Sequence, residues 1–127
     1  DDTIPGGKLL NDTRWFQSHL WRSQHPTDCA SARFMTHRIE KGRKDIGLGS
    51  LIAQYIKVFA YAIATGRVFI HQPDPAFLYA DQSACGSALS FDCYFHPLSN
   101  CSHLHLQRNN TLETSLWWVL VHNMPRN

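Results

Sequence analysis

The stretch GLGSLIAQYIKVFAYAIATGRVFI, residues 47–70, decides the fold. It opens with a glycine-containing turn at 47–50, continues as a mostly apolar run over 51–65, and passes through Gly66 into the β-branched and aromatic segment 67–70. Ser50 can cap a helix start, and Gly66 can take the left-handed conformation that often ends a helix. The pattern therefore predicts a loop, a helix and a buried strand in succession.

A second strand is expected just before this stretch, at Arg33–Ile39, where the sequence RFMTHRI is short and half apolar. A strand, a helix and a second strand in this order form a βαβ unit, in which the strands are parallel and the crossover is right-handed. We therefore expect an α/β fold with a Rossmann-like start, built on a short parallel sheet flanked by helices.

The regions that flank the βαβ unit are predicted to belong to the same domain. Apolar residues between 8 and 22 approximate one helical face and predict a leading amphipathic helix, which must end near Pro26. After Gln72-Pro73-Asp74-Pro75 the chain reads as loop as far as Asn110, and residues 112–122 are expected to be helical. A chain of 127 residues fits one domain, residues 1–127.

Composition argues against some partners and indicates a compartment. Twelve Lys and Arg against ten Asp and Glu give a net charge of +2, too weak a field to predict nucleic-acid or membrane-surface binding. No apolar run approaches the roughly 20 residues that span a bilayer, so any anchor or signal is expected outside this segment. Three N-glycosylation sequons, at Asn11, Asn100 and Asn109, favour an oxidising secretory lumen.

The cysteines are even in number and allow three pairings if all are oxidised: Cys29, Cys85, Cys93 and Cys101. The alternative is that the sequons arise by chance and the thiols are free, as small buried apolar groups. A zinc site is not expected, because the cysteines are separated by seven residues, too wide a spacing for structural zinc, in the candidate cluster Cys93, His96, Cys101, His103 and His105. Hydrolase motifs are also absent from the sequence.

The turn at 47–50 is the best candidate for a binding site. It lies between a predicted strand and a helix N-terminus, where backbone amides and the helix dipole favour a phosphate. It lacks the third glycine of the dinucleotide fingerprint and the lysine of a P-loop, so neither NAD nor ATP is indicated. Two glycines that only form a tight turn remain the structural alternative.

Two other groups could contribute to binding. Four basic residues precede the turn and could neutralise a diphosphate: Arg38, Lys41, Arg43 and Lys44. For the lysines, a solvated loop is the preferred interpretation. For Arg43, both interpretations are left open. Trp117 and Trp118 could stack on a sugar, although paired tryptophans on an apolar segment usually pack internally.

An ordered series of motifs resembles one enzyme family. Gln24-His25-Pro26-Thr27-Asp28-Cys29, followed by Ala32-Arg33, resembles the Gln-Asn-Pro-x-Asp-Cys-x-x-Ala-Arg opening of the α-1,6-fucosyltransferase lobe. The later matches keep the family's order: Lys41-Gly42, Gly47-Leu48-Gly49, the long helix, the strand at 67–71, Tyr79-Ala80 and Phe95-His96-Pro97-Leu98-Ser99-x-Cys101. The likeness covers residues 24–101, and residues 102–127 diverge. Rhizobial chitin-oligosaccharide fucosyltransferases and protein O-fucosyltransferases look like more distant relatives.

The resemblance implies the N-terminal lobe of a two-lobed GT-B-type glycosyltransferase. Such an enzyme transfers fucose from GDP-fucose to a glycan hydroxyl with inversion, without a metal or other cofactor, in the Golgi lumen. By position, Gly47, Gly49 and Ser50 match the turn that faces the donor diphosphate, and Tyr79 matches a tyrosine near the nucleotide. The family's main donor-binding arginine and its catalytic groups lie in the C-terminal lobe, which is missing here. No catalytic residue is therefore named, and this lobe alone is expected to be inactive.

The resemblance also implies a Cys29–Cys101 disulfide, which leaves Cys85 to pair with Cys93. Two departures from the family put donor specificity in question. Residues 43–46 precede the turn and Ser50 replaces a family cysteine, so a looser turn is expected; the segment 72–93 is longer and carries the added cysteine pair. The alternative function is a non-catalytic secreted binding module on the same disulfide-bonded scaffold.

Overall fold

The computed structural model describes residues 3–4, 7–8, 10–39 and 46–115. The helices and strands are, in chain order, β1 (Thr3–Ile4), β2 (Gly7–Lys8), α1 (Asn11–Gln24), β3 (Phe34–His37), α2 (Leu48–Ala64), β4 (Val68–Phe69), α3 (Gln82–Cys85) and β5 (Thr111–Thr114). Two single 3-10 turns, Phe91–Cys93 and His103–His105, interrupt the long connection between α3 and β5. Most of the segment between β4 and β5 is therefore loop, as expected.

The main sheet has three parallel strands in the order β4-β3-β5. Phe34 pairs with Val68 on one side of β3 and with Thr111 on the other. Helix α2 connects β3 to β4, so the predicted βαβ unit and the α/β class are confirmed. The short strands β1 and β2 form a separate antiparallel pair.

The third strand corrects the prediction of a helix over residues 112–122. Thr111–Thr114 is a strand that pairs with β3 along its whole length, and residues 116–122 lie outside the described part of the chain. The amide of Arg38 donates to Thr114 O at 2.8 Å, and the Thr114 hydroxyl donates to Thr36 O at 3.0 Å. Pairing with a distant strand outweighs the local helical pattern, because two β-branched threonines suit the sheet.

Helix α1 confirms the leading helix but shifts its bounds from the predicted 8–22 to Asn11–Gln24. Its large aromatic side chains do not enter the core, since Trp15, Phe16 and Trp21 are all more than half exposed. The contact with the sheet is made by Gln24, which is 2% exposed. Its amide nitrogen donates to Arg67 O at 3.2 Å, and its oxygen accepts from Phe69 N at 2.7 Å. Gln24 thus binds the outer backbone edge of β4.

The two ends of α2 differ in how well they were predicted. Ser50 does not cap the helix: α2 begins at Leu48, Gly47 occupies the N-cap position without a side-chain hydrogen bond, and Ser50 lies inside the first turn. The N-cap residue Gly47 and the first helical residue Leu48 therefore both lack a polar side chain. Gly66 has a φ of +64° and donates its amide to Ile63 O, which confirms the left-handed stop.

The core lies on both faces of the three-stranded sheet. Alternate strand residues point to opposite faces, so Met35 and Phe69 pack against α2 while Phe34 and Val68 pack on the other side. Helix α2 contributes buried residues at the three- and four-residue spacing of a single helical face: Leu51, Tyr55, Val58 and Ala62. Both faces of this short sheet are therefore covered, which is usual for parallel strands.

Both expected disulfides are confirmed. Cys29–Cys101 spans 72 residues and packs in the second core cluster with Phe34 and Val68. Cys85–Cys93 spans 8 residues and links α3 to the following 3-10 turn. From loop-closure entropy, the long link contributes about 4 kcal/mol of stability and the short one about 2.5 kcal/mol.

Glycine substitutions at the start and the end of α2 should have opposite effects on stability. A Cβ at Gly49 meets nothing within 4 Å and lies in helical backbone, so Gly49→Ala should raise the free energy of unfolding by about 0.5–1 kcal/mol. Gly66→Ala should lower it by about 1 kcal/mol, because the left-handed backbone disfavours a Cβ. Urea unfolding followed by circular dichroism measures both. If Gly49→Ala instead lowers the free energy of unfolding, the absence of a side chain at Gly49 is needed for stability.

Candidate functional site

The turn before α2 provides the N-terminal backbone donors of the helix. The first hydrogen bond of α2 runs from Leu51 N to Gly47 O at 3.0 Å, and the amides of residues 48–50 have no acceptor among the described residues. Gly47 has a φ of −66° and a ψ of 152°, a conformation open to any residue. Neither glycine is therefore required by the backbone conformation, and a Cβ at Gly47 or Gly49 would meet no described residue within 4 Å. Among the described residues, the two glycines thus leave space beside the positive end of the helix dipole.

Tyr79 lies beside this turn, although it is more than 25 residues further along the chain. Its hydroxyl donates to Ile46 O at 2.8 Å, immediately before Gly47, and its ring packs edge-on against Phe77. The hydroxyl of Tyr94 donates to Tyr79 O in turn. The structure thus brings together Tyr79 and the segment that leads into Gly47, Gly49 and Ser50. Because its hydrogen is already donated to Ile46, Tyr79 positions the turn and can offer a ligand only its ring or an oxygen lone pair.

The basic and aromatic candidates are not added to this site. Arg38 pairs with Glu113 at 3.1 Å, and both side chains are about half exposed, so the ion pair contributes little stability. Lys41, Arg43 and Lys44, like Trp117 and Trp118, lie outside the described residues.

A buried polar network occupies the carboxyl ends of β3 and β5, where open α/β sheets commonly bind ligands. His37 is 2% exposed; its Nδ1 lies 2.9 Å from Thr114 Oγ1 and its Nε2 lies 3.2 Å from Gln54 Oε1. Burial lowers the pKa of His37, while the contact with Gln54 and the charge of Asp74 oppose that shift. The Thr114 hydroxyl donates to Thr36 O, so it is an acceptor toward His37 Nδ1, and Gln54 Oε1 is an acceptor toward His37 Nε2.

Asp74 fastens this end of the sheet to the loop that follows β4. It is 7% exposed, and its carboxylate accepts from Ile39 N and from Ala76 N, each at 2.9 Å. Two backbone donors stabilise the buried charge. Sequence analysis identified the proline-flanked Asp74 only as part of a loop; no local pattern shows that its partner is the end of β3.

His71 is a partly buried histidine that the sequence did not single out. It follows β4 and contacts the rings of Tyr55, Phe69 and Phe91 at centroid distances of 5.1–5.7 Å. Burial lowers the pKa of His71 to about 4. Its Nδ1 is buried without a hydrogen-bond partner in the protein, so the ring is neutral near physiological pH and keeps one unused polar atom.

Metal chemistry and membrane insertion find no support in the described part of the chain. All four cysteines are in disulfides, and no cluster of three His, Cys, Asp or Glu side chains within residues 10–39 and 46–115 could hold a metal ion. None of the described helices is both long enough and apolar enough to cross a bilayer.

Replacing His71 should reduce the acid sensitivity of the fold. The native ring titrates near pH 4 and an unfolded histidine near 6.5, so acid adds a proton to the unfolded chain first and native stability falls as the pH drops through that window. Between about pH 7.5 and 5, His71 should account for a loss of about 2 kcal/mol. A phenylalanine ring suits the aromatic surroundings of residue 71. Over this pH range, the free energy of unfolding of His71→Phe should therefore fall by about 2 kcal/mol less than that of wild type.

Urea unfolding at the two pH values measures the difference. His19→Phe, at an exposed position of α1, controls for the loss of a histidine in general. Equal acid losses for wild type and His71→Phe would show that His71 is accessible to protons in the native state.

Comparison with known proteins does not assign the chain to a family. No protein-family model matches it, and neither a curated protein nor a solved structure does. The function must therefore be argued from the residues and their geometry.

Proposed function

We propose that this chain is the first lobe of a glycosyltransferase that resembles the α-1,6-fucosyltransferases and uses GDP-fucose as its donor. One observation carries the proposal: the first turn of α2 presents amides that have no acceptor among the described residues, next to two glycines whose backbone conformation does not require glycine. Glycine at such positions is useful when a ligand must approach the backbone closely. The parallel βαβ unit and the Cys29–Cys101 disulfide agree with the motif order on which the resemblance rests.

The turn is suited to one part of the donor, the diphosphate. The amides at the start of α2 and a helix dipole of about half a charge attract an anion without a metal. Tyr79 holds the entry to the turn through Ile46 O, and its side chain is partly exposed. We therefore assign the diphosphate to Gly47, Gly49 and Ser50, and the nucleotide to the neighbourhood of Tyr79.

The reaction itself requires groups beyond this lobe. In GT-B-type enzymes the nucleotide lies between two lobes, and a single wall lacks the arginine contacts that hold a diphosphate strongly. The proposed partner is a C-terminal lobe that supplies those arginines and the catalytic groups, together with a glycan acceptor. The lobe alone should bind the donor at millimolar concentration, which corresponds to about 4 kcal/mol of binding free energy.

Two disulfides agree with a secreted or lumenal protein, because such bonds persist in oxidising compartments. Within that range, we propose the Golgi lumen, which follows from the fucosyltransferase resemblance. The exposed sequon residues Asn11 and Asn109 are accessible to glycosylation on the same route.

A second candidate is a non-catalytic secreted binding module. It is favoured by the exposed aromatic side chains of α1, since Trp15, Phe16 and Trp21 are each more than half exposed and aromatic residues are enriched at protein interfaces. This candidate predicts no response of the 47–50 turn to a nucleotide sugar.

Titration of the isolated lobe with GDP-fucose, followed by amide NMR shifts, tests the donor site. The largest shifts should fall on residues 47–50 and near Tyr79, with millimolar affinity, and Gly49→Val should weaken binding at least fivefold because its side chain blocks the approach to the amides. Ala53→Val, exposed about one turn further along α2, is the matched control and should leave the affinity unchanged.

Two outcomes would contradict the proposal. Absence of shifts at residues 47–50 in millimolar GDP-fucose would remove the donor site and favour the binding module. Micromolar affinity, or fucose transfer by this lobe alone, would show that the main donor-binding and catalytic groups belong to this half of the enzyme.

A further inference from the structure

The three N-glycosylation sequons differ in how the folded chain uses their asparagine. Asn11, in the first turn of α1, and Asn109, in the turn before β5, are exposed, and their carboxamides make no hydrogen bond with the described residues. Asn100 is also exposed, but its Nδ2 donates to Pro26 O at 3.1 Å. An N-linked glycan attaches to this nitrogen. In the folded chain, the acceptor atom of one sequon is therefore bound to a distant segment.

The other residues around Asn100 are also held in the fold. Ser99 and Cys101, its two neighbours, are 8% and 5% exposed, and Cys101 N donates to Ser99 Oγ at 3.0 Å. Ser102 supplies the hydroxyl that the sequon requires, and this hydroxyl accepts from Leu104 N at 3.3 Å at the start of the following 3-10 turn. A transferase that takes up this tripeptide must break these contacts.

A disulfide brings the Asn100 sequon into this position. Cys101, the middle residue of the sequon, is bonded to Cys29, which lies shortly after Pro26 in the sequence. The bond thus places Asn100 beside the carbonyl of Pro26, and Cys101 becomes part of the second core cluster. Formation of this disulfide converts the sequon from open peptide into part of the packed structure.

Two reactions therefore compete for one short segment in the secretory lumen. Cys29 precedes Cys101 by 72 residues and is made first, so the partner thiol is present when the sequon arrives. In the first reaction, the two thiols transfer their two hydrogens and two electrons to a disulfide oxidant of the compartment, and a sulfur–sulfur bond forms. In the second, Asn100 Nδ2 loses a proton and bonds to the sugar carbon of a lipid-linked oligosaccharide diphosphate, and the lipid diphosphate leaves.

We propose that Asn100 is a conditional N-glycosylation site, which accepts a glycan only on chains whose Cys101 is still a thiol. The Cys29–Cys101 disulfide excludes the glycan, so the state of Asn100 records which reaction came first. This inference rests on the secretory location proposed for the chain and not on glycosyl transfer by it. Asn11 and Asn109 have no cysteine in their sequons, so they are modified in either case and report separately that the chain reached the lumen.

Peptide mass spectrometry tests the proposal on the 127-residue chain, expressed behind a cleavable secretion signal in a eukaryotic host. Free thiols are alkylated at lysis, disulfides are reduced and alkylated with a second reagent, and an amidase converts each glycosylated asparagine to aspartate. Asn100 and Cys101 are adjacent, so one peptide reports both modifications. In wild type, Asn100 should be modified in about one-fifth as many chains as Asn109, or fewer.

Removal of the partner thiol should open the site. Cys29→Ser leaves the sequon intact and should raise the occupancy of Asn100 at least about fivefold, because Cys101 loses its partner. The matched control, Cys85→Ser with Cys93→Ser, removes the other disulfide and should leave the occupancy of Asn100 unchanged.

Brief treatment of cells that express wild type with dithiothreitol keeps the native sequence and does not depend on the folding of a variant. Glycan should then appear on peptides whose Cys101 carries the first reagent, which marks a free thiol at lysis. Peptides whose Cys101 carries the second reagent, which marks a disulfide, should show Asn100 unmodified.

Three results would overturn the proposal. Glycan at Asn100 on wild-type peptides with disulfide-bonded Cys101, at the level of Asn109, would show that the two modifications coexist. No gain at Asn100 in Cys29→Ser or in reduced wild type, with Asn109 modified, would show that the disulfide does not control the site. An equal gain in the control without the other disulfide would assign the effect to a general opening of the fold.

Discussion

The rest of the structure depends on the burial of β3 between two parallel neighbours. All four of its residues are at most 2% exposed, and its backbone is hydrogen-bonded to β4 on one edge and to β5 on the other. Phe34 and Met35 point to opposite faces, and the burial of each contributes about 1.5–3 kcal/mol. The two core clusters therefore meet at this strand. The turn at Gly47, the Asp74 contact and the disulfide Cys29–Cys101 are all positioned by elements that pack against it.

The fold was predictable where the local signal and the tertiary packing agree. Helix α2 has a long apolar face and a glycine stop, and β3 and β4 are short apolar segments at its two ends, so this βαβ unit could be derived from the sequence. Thr111–Thr114 shows the limit of that approach. Its apolar neighbours suggested a helix, but its conformation is determined by hydrogen bonds to a strand more than 70 residues away, which no local pattern records.

The residues of the candidate sites also differ in how far they could be predicted from the sequence. Gly47, Gly49 and Ser50 lie next to a helix start and could be found from sequence alone, although the helix begins three residues earlier than a Ser50 cap would require. Tyr79 could be found only through a family resemblance, because helix α2, strand β4 and the loop after β4 separate it from the turn along the chain. His71 had no signal at all. Its contact with the ring of Phe91 joins it to the segment 91–103, which the two disulfides hold.

The Cys29–Cys101 bond also has a consequence for the order of folding events. Cys29 lies shortly before β3, and Cys101 lies shortly before β5. In the reduced chain, the pairing of these two strands must close a loop of more than 70 residues, which makes the contact entropically costly and slow to form. Once the two sulfurs are joined, the same pairing becomes almost a local event. Early oxidation of these two cysteines would therefore speed the pairing of β3 with β5. The rate of folding, and not only the stability of the folded state, is then coupled to the redox chemistry of the compartment.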